Sequence, residues 1–331
     1  MRPLATTTAA LALAACGSAP SRPCPLPTPE SERAAFFERL EARRADATGA
    51  AVPVLEADLG EGLARPTTYL RVRVGERGIG VREGHVPSSL TRAELDVELS
   101  HADPMRLGWL LSRDDVDALV PLDSHGRVPA EERMGGPEGY LIEALHAALE
   151  ERIRLGDLPR ELGLEIRPST PFRTVAEIVY TAGQAGVERL QIVVRVGDVE
   201  RAHALALPGF RVASMQEMLE AAEVEVEPLS LSLALTSDGA IVSGSGGRLA
   251  PGCEQITSGS EPTLPAPGGA VDVYELRRCL RGIHELFPHE DTITITADPE
   301  VAFEHVARAA VAAAGQDRGL FPNTQLSAGI R

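Results

Sequence analysis

One stretch constrains the fold of this chain more than any other: Thr292 to Gly315, TITITADPEVAFEHVARAAVAAAG. Ile293 and Ile295 alternate with threonines, the period-2 pattern of a half-buried strand. Ala297, Asp298 and Pro299 break that pattern. Asp298 is suited to cap a helix, and Pro299 to open it, because proline lacks only an N–H that is unpaired there anyway. Phe303, Val306, Ala307 and Ala310 then recur at i, i+3, i+4 and i+7, which gives a helix one apolar face. The same arrangement occurs earlier in the chain. Leu164 and Ile166 end a strand, Pro171 opens a helix, and Phe172, Val175, Ala176 and Val179 repeat the spacing. Two copies of one unit are expected.

At 331 residues the chain has room for two domains, each with its own core. Aromatic residues make up only 4%, so those cores should be aliphatic. The net charge is −16 and both halves are acidic. That argues against a nucleic-acid binder, which needs basic surface to displace phosphate counterions. All 32 basic residues are arginine. A chain without lysine has no Walker A phosphate loop, no Ser-x-x-Lys acylating pair and no Schiff base.

The N-terminus reads MRPLATTTAALALAAC. Arg2 supplies a short positive region, and an apolar run ends in Leu13-Ala14-Ala15-Cys16. This resembles a bacterial lipoprotein signal with its lipobox, with Cys16 in the place of the lipidated cysteine; the alternative is an ordinary secretory peptide. Gly17 after Cys16 is not an aspartate retention signal, which favours the outer membrane. No later run is long and apolar enough to span a bilayer. Residues 17–50 follow as a Pro-rich tether and a short charged helix.

The rest reads as α+β: two tandem β-β-α-β-α-β domains, each a mixed sheet with its helices packed on one face. The first occupies residues 51–197 and carries an insertion, 86–138, that the second lacks. Leu70, Val72 and Val74 alternate with arginines before a turn at Gly75–Gly78. A helix is expected from Tyr140 to Arg154, and a last strand from Leu190 to Val196. Residues 198–228 form a linker that ends in the acidic run EVEVEP. The second domain, 229–331, opens with LSLSLAL and a hairpin turn at Asp238-Gly239. Val273, Leu276, Leu280, Ile283 and Phe287 make one helical stripe.

This order resembles the periplasmic domain of the ExbD/TolR family. The second copy carries the likeness best, in LSLALTSDGAIVSG, VDVYELRRCLRGIHELFP and ITITADPEVAFEHVARAAVAAAG. The first matches in LEIRPSTPFRTVAEIVYTAGQAGVERLQIVV, although Arg167-Pro168-Ser169 departs from the Ala-Asp of the second. Family members place an aspartate on a transmembrane helix beside an ExbB/TolQ-type channel. No such helix is present here, so proton coupling does not carry over. The resemblance implies a non-catalytic, lipid-anchored periplasmic adaptor in an envelope complex related to biopolymer transport. Its partners would be ExbB/TolQ-type or TonB/TolA-type proteins. Family domains pair with one another, so two copies in one chain would pack as an internal pseudo-dimer. A peptidoglycan-binding lipoprotein is the alternative, and a periplasmic hydrolase using Asp298 or a histidine is a second.

Motifs with chemical potential all have a plainer reading. His284 to His289 is one residue too long for the His-Glu-x-x-His zinc helix, and Pro288 stops the helix. Asp114, Asp115, Asp117 and Asp123 lack the glycine and final glutamate of a calcium loop. Ser243 to Gly247 and Gly75 to Gly80 read as turns. No catalytic residue, metal or cofactor is expected. Cys24, Cys253 and Cys279 remain beside Cys16. A bridge between Cys253 and Cys279 would tie a Gly/Pro-rich loop to the following helix; a buried free thiol at Cys279 is equally open.

Overall fold

The computed structural model describes residues 52–68, 70–76, 78–83, 120–155, 160–207, 229–315 and 319–327. The signal region with Cys16, the tether with Cys24, the insertion through 119 with Asp114, Asp115 and Asp117, and EVEVEP lie outside the described residues.

The architecture is α+β, a mixed sheet with four helices among the described residues. In the first half, β1 (Val54–Leu55) precedes a hairpin of β2 (Leu70–Val74) and β3 (Gly78–Glu83). Short strands β4 (Val120–Pro121), β5 (Arg133–Met134) and β6 (Leu141–Ile142) lead to α1 (Glu143–Leu155). Then come β7 (Glu161–Ile166), α2 (Phe172–Gln184), β8 (Arg189–Val196) and β9 (Val199–Ala206). The second half has β10 (Ser232–Thr236), β11 (Gly239–Gly244), β12 (Gly247–Leu249), β13 (Ile256–Thr257) and β14 (Leu264–Pro265). It closes with α3 (Val273–Leu286), β15 (Thr292–Ala297), α4 (Phe303–Ala314) and β16 (Asn323–Leu326).

The two halves repeat one pairing pattern. Val72 lies in register with Val81 on one side and Leu164 on the other, and Leu164 with Ile192. Leu233 likewise meets Val242 and Ile295, and Ile295 meets Leu326. In both, the hairpin is antiparallel and the following strands are parallel. All of these side chains are buried, as are Leu145 and Leu149 of α1 and their counterparts Leu276 and Leu280 of α3. Helix α4 brings Ala307, Ala309, Ala310, Ala312 and Ala313 into the core, and residues this small allow backbones to pack closely.

Several details differ from the sequence reading. Residues 198–228 open as a strand, not as a linker. Gly197, at φ +58°, and Asp198 make a two-residue turn, and β9 folds back antiparallel on β8 over eight residue pairs. Strand β9 then meets β16 in parallel at Ala206 and Gln325, so both halves share one continuous sheet. The second hairpin turns at Ser237 and Asp238, one residue early, because Thr236 pairs with Gly239. Glycine is required there: its φ is +142°, and a Cβ would stand 2.2 Å from the Leu264 carbonyl oxygen. Phe287 ends α3 and is 47% exposed, since the helix stops before its side chain turns inward. Asp298 does not cap α4, which starts at Phe303 with Ala302 at its N-cap and no capping side chain.

Substituting Phe303→Ala removes a fully buried ring at the start of α4. The expected loss is about 3–5 kcal/mol, read from denaturant unfolding.

Candidate interaction site at the seam

Helix α2 also starts without a capping side chain, after Pro171. Both helices therefore have orphan N–H groups at their first turn. Each set is satisfied by the other half. Phe172 N–H donates to the Val301 carbonyl at 2.8 Å, and Phe303 N–H to the Thr170 carbonyl at 2.9 Å. Arg173 N–H donates to Pro299 at 3.0 Å, and Glu304 N–H to Pro168 at 3.0 Å. Pro171 and Ala302 face each other as an antiparallel bridge. One constant offset in residue number relates every donor and acceptor to its counterpart, so the contact is reciprocal in the manner of a two-fold interface.

A segment from the N-terminal side straps this seam. Strand β1 pairs in parallel with the end of β8, at Arg195 and Val196. Glu56 accepts from Arg308 of α4 at 2.7 Å. Both side chains are partly exposed, so the pair contributes only about 0.2–1 kcal/mol and orients the strap more than it holds it. The Tyr274 hydroxyl of α3 donates to Asp58, which holds that carboxyl below its ordinary range and pushes the phenol up. Leu59 is buried. Beyond it the Ala64 carbonyl accepts from Ala202 N–H of β9 at 2.9 Å.

Beside the strap lies a buried polar group. Arg71 is 8% exposed and pairs with Glu165, with Glu200 at 3.7 Å. Gly163 makes the space: a Cβ there would meet Thr68 Oγ1 at 2.4 Å and Arg71 Cγ at 3.0 Å.

The end of the expected 86–138 insertion is docked on α2. Thr174 donates to the Gly126 carbonyl at 2.8 Å, and Thr181 Oγ1 accepts from Ile142 N–H at 3.0 Å. Between them Glu177 is 1% exposed and accepts from Arg133 at 2.8 Å and Arg173 at 2.7 Å. Burial pushes the Glu177 carboxyl up, and the two guanidiniums pull it back. Arg173 also stands 3.8 Å over the Tyr140 ring and donates to the Gly139 carbonyl. Asp123 caps its own turn, accepting from the N–H groups of His125 and Arg127, and its carboxyl is lowered by them.

Cys253 and Cys279 are bonded, with Cα atoms 5.6 Å apart. The bond joins the loop after β12 to the buried face of α3. His284 meets the Phe321 ring edge-on at 5.6 Å, and His289 lies exposed in the turn after α3. Asp298 stays in the turn, its carbonyl accepting from Val301 N–H. The structure brings none of these three together. The residues that matter most here, Pro168 to Arg173 and Pro299 to Glu304, show in the sequence only as a strand break and a helix start. The mutual capping leaves no local signal, since Ser169, Thr170 and Asp298 are good capping residues in the sequence.

Comparison with protein-family models, with curated proteins and with solved structures returns no match.

Replacing Glu177 by leucine takes this acceptor from two half-buried guanidiniums, and a loss of about 1–3 kcal/mol is expected, measured by urea unfolding. Reduction of Cys253–Cys279 reopens a loop of 26 residues. It should lower stability by roughly 3 kcal/mol, seen as a lower melting temperature of the mature protein in reductant.

Proposed function

We propose that this chain is a non-catalytic envelope lipoprotein adaptor, anchored through Cys16, with two ExbD/TolR-like halves packed as an internal pseudo-dimer. The observation that carries the reading is the reciprocal pairing of 168–173 with 299–304. A contact that obeys one offset throughout is what a fused pair of like units would retain. The hairpin-plus-parallel-strand pattern of each half supports the same reading.

In this reading the strap has a further role. It leaves the tether at about residue 52 and touches both halves before the first hairpin begins. A lipid on Cys16 would thus hold both halves from one point and present them together to partners of the ExbB/TolQ or TonB/TolA type.

The test is made in intact cells. Cys16→Ser should abolish incorporation of labelled palmitate and move the protein from the membrane fraction to the soluble periplasmic fraction. Photo-crosslinking from surface positions such as Tyr180 and Leu286, followed by mass spectrometry, should recover envelope transport proteins. Retention on purified sacculi with no protein crosslink would favour peptidoglycan binding and overturn the adaptor.

A further inference from the structure

Strand β9 is the piece of sheet that joins the halves, and its hold on the second half is thin. Its outer edge is met at Ala202 by Ala64 and at Ala206 by Gln325. Between these two points sits His203. It is 6% exposed and lies directly opposite Ile192. Side chains opposite each other in an antiparallel pair share a face. The imidazole therefore lies among Ile192, Leu190 and Leu205, all buried. Its Nε2 is enclosed and has no hydrogen-bond partner among the described residues.

The charged groups around it do not offset this. On β9, Arg201 shares its face two residues away, and Glu200 points to the other side, toward Arg71. The facing positions of β8, Leu190, Ile192 and Val194, carry no charge. Across the outer edge stand Ala64 and Gln325, neither of which titrates. A protonated ring would bring a charge and a second N–H donor into this site, and among the described residues, the helices included, no charged group is seen to act on the ring beside its burial.

We propose that His203 makes the seam acid-labile: protonation drives its ring toward water, releases β9 from Ala64 and Gln325, and lets the two halves part at the sheet. Burial alone depresses the imidazole, to about 4, from an ordinary value near 6.5. The sign follows from that depression. The folded state favours the neutral ring, so the seam is at full strength above about pH 6.5 and weakens as pH falls toward 4. The proposal rests on β9 and its neighbours, and does not depend on lipidation or on any partner.

The experiment is hydrogen exchange of the mature protein from pH 7 to pH 4, expressed as protection factors so that intrinsic exchange is removed. The Ala202 amide reports the seam, and amides of β2 and β7 report the first core. Protection at Ala202 should fall by roughly a hundredfold across this range, while β2 and β7 keep theirs. In His203→Leu the fall should vanish, and His203→Gln serves if the leucine variant does not fold. NMR titration of the ring in the unaltered protein gives a second reading that needs no variant. A ring midpoint near 4, with protection at Ala202 falling between about pH 6.5 and that midpoint, supports the proposal. A midpoint near 6.5 overturns it, as does the same acid response in the variants. Simultaneous loss of protection in β2, β7 and β9 also overturns it, because that is global unfolding.

Discussion

Two helices in this protein begin with their first N–H groups aimed at each other's chain. Neither α2 nor α4 has a serine, threonine or aspartate in the capping position, and each takes carbonyls from the turn of the other instead. An unsatisfied buried N–H costs about 1–3 kcal/mol. The four reciprocal bonds therefore tie the stability of each helix to the position of the other half. The buried rings of Phe172 and Phe303, at the same two helix starts, add apolar burial to those bonds.

Other contacts are arranged around this one. The strap crosses at β1 and Ala64, and β9 closes the sheet beside it. These are short pairings with few hydrogen bonds, and the ion pairs across the seam, Glu56 with Arg308 and Arg127 with Glu300, are partly exposed. The hairpins and parallel strands within each half are far more extensive. The molecule is thus stiff inside each half and lightly stitched between sheet halves. That contrast is why a single uncompensated imidazole at β9 carries weight.

The polar stripe on α2 follows a different logic. Thr174, Glu177 and Thr181 are almost fully buried on a helix whose other face is apolar. Alone they would weaken it. They are buried because the segment from Gly126 to Ile142 lies on them and supplies a carbonyl, an amide and a guanidinium. On α4 the related turn carries Arg308 instead, and the strap's Glu56 answers it. Each half has its seam helix covered by a different part of the chain.

Much of the fold was legible in local pattern. Alternation in TITITA and LRVRV marked strands, and i, i+3, i+4, i+7 spacing marked α2, α3 and α4, because these periods reflect which side of an element meets the core. The repeated Phe172 and Phe303 units were legible for the same reason. β9 was not, because its charged and small residues lack an apolar alternation and its Gly197-Asp198 turn looks in sequence like the edge of a linker. Nor was the start of α4, since Asp298-Pro299 is a good local cap that long-range pairing overrides. The order of strands around β9, the bond between Cys253 and Cys279 and the mutual capping were decided only in three dimensions. Each depends on distances between residues far apart in the chain, and no local period encodes such a distance.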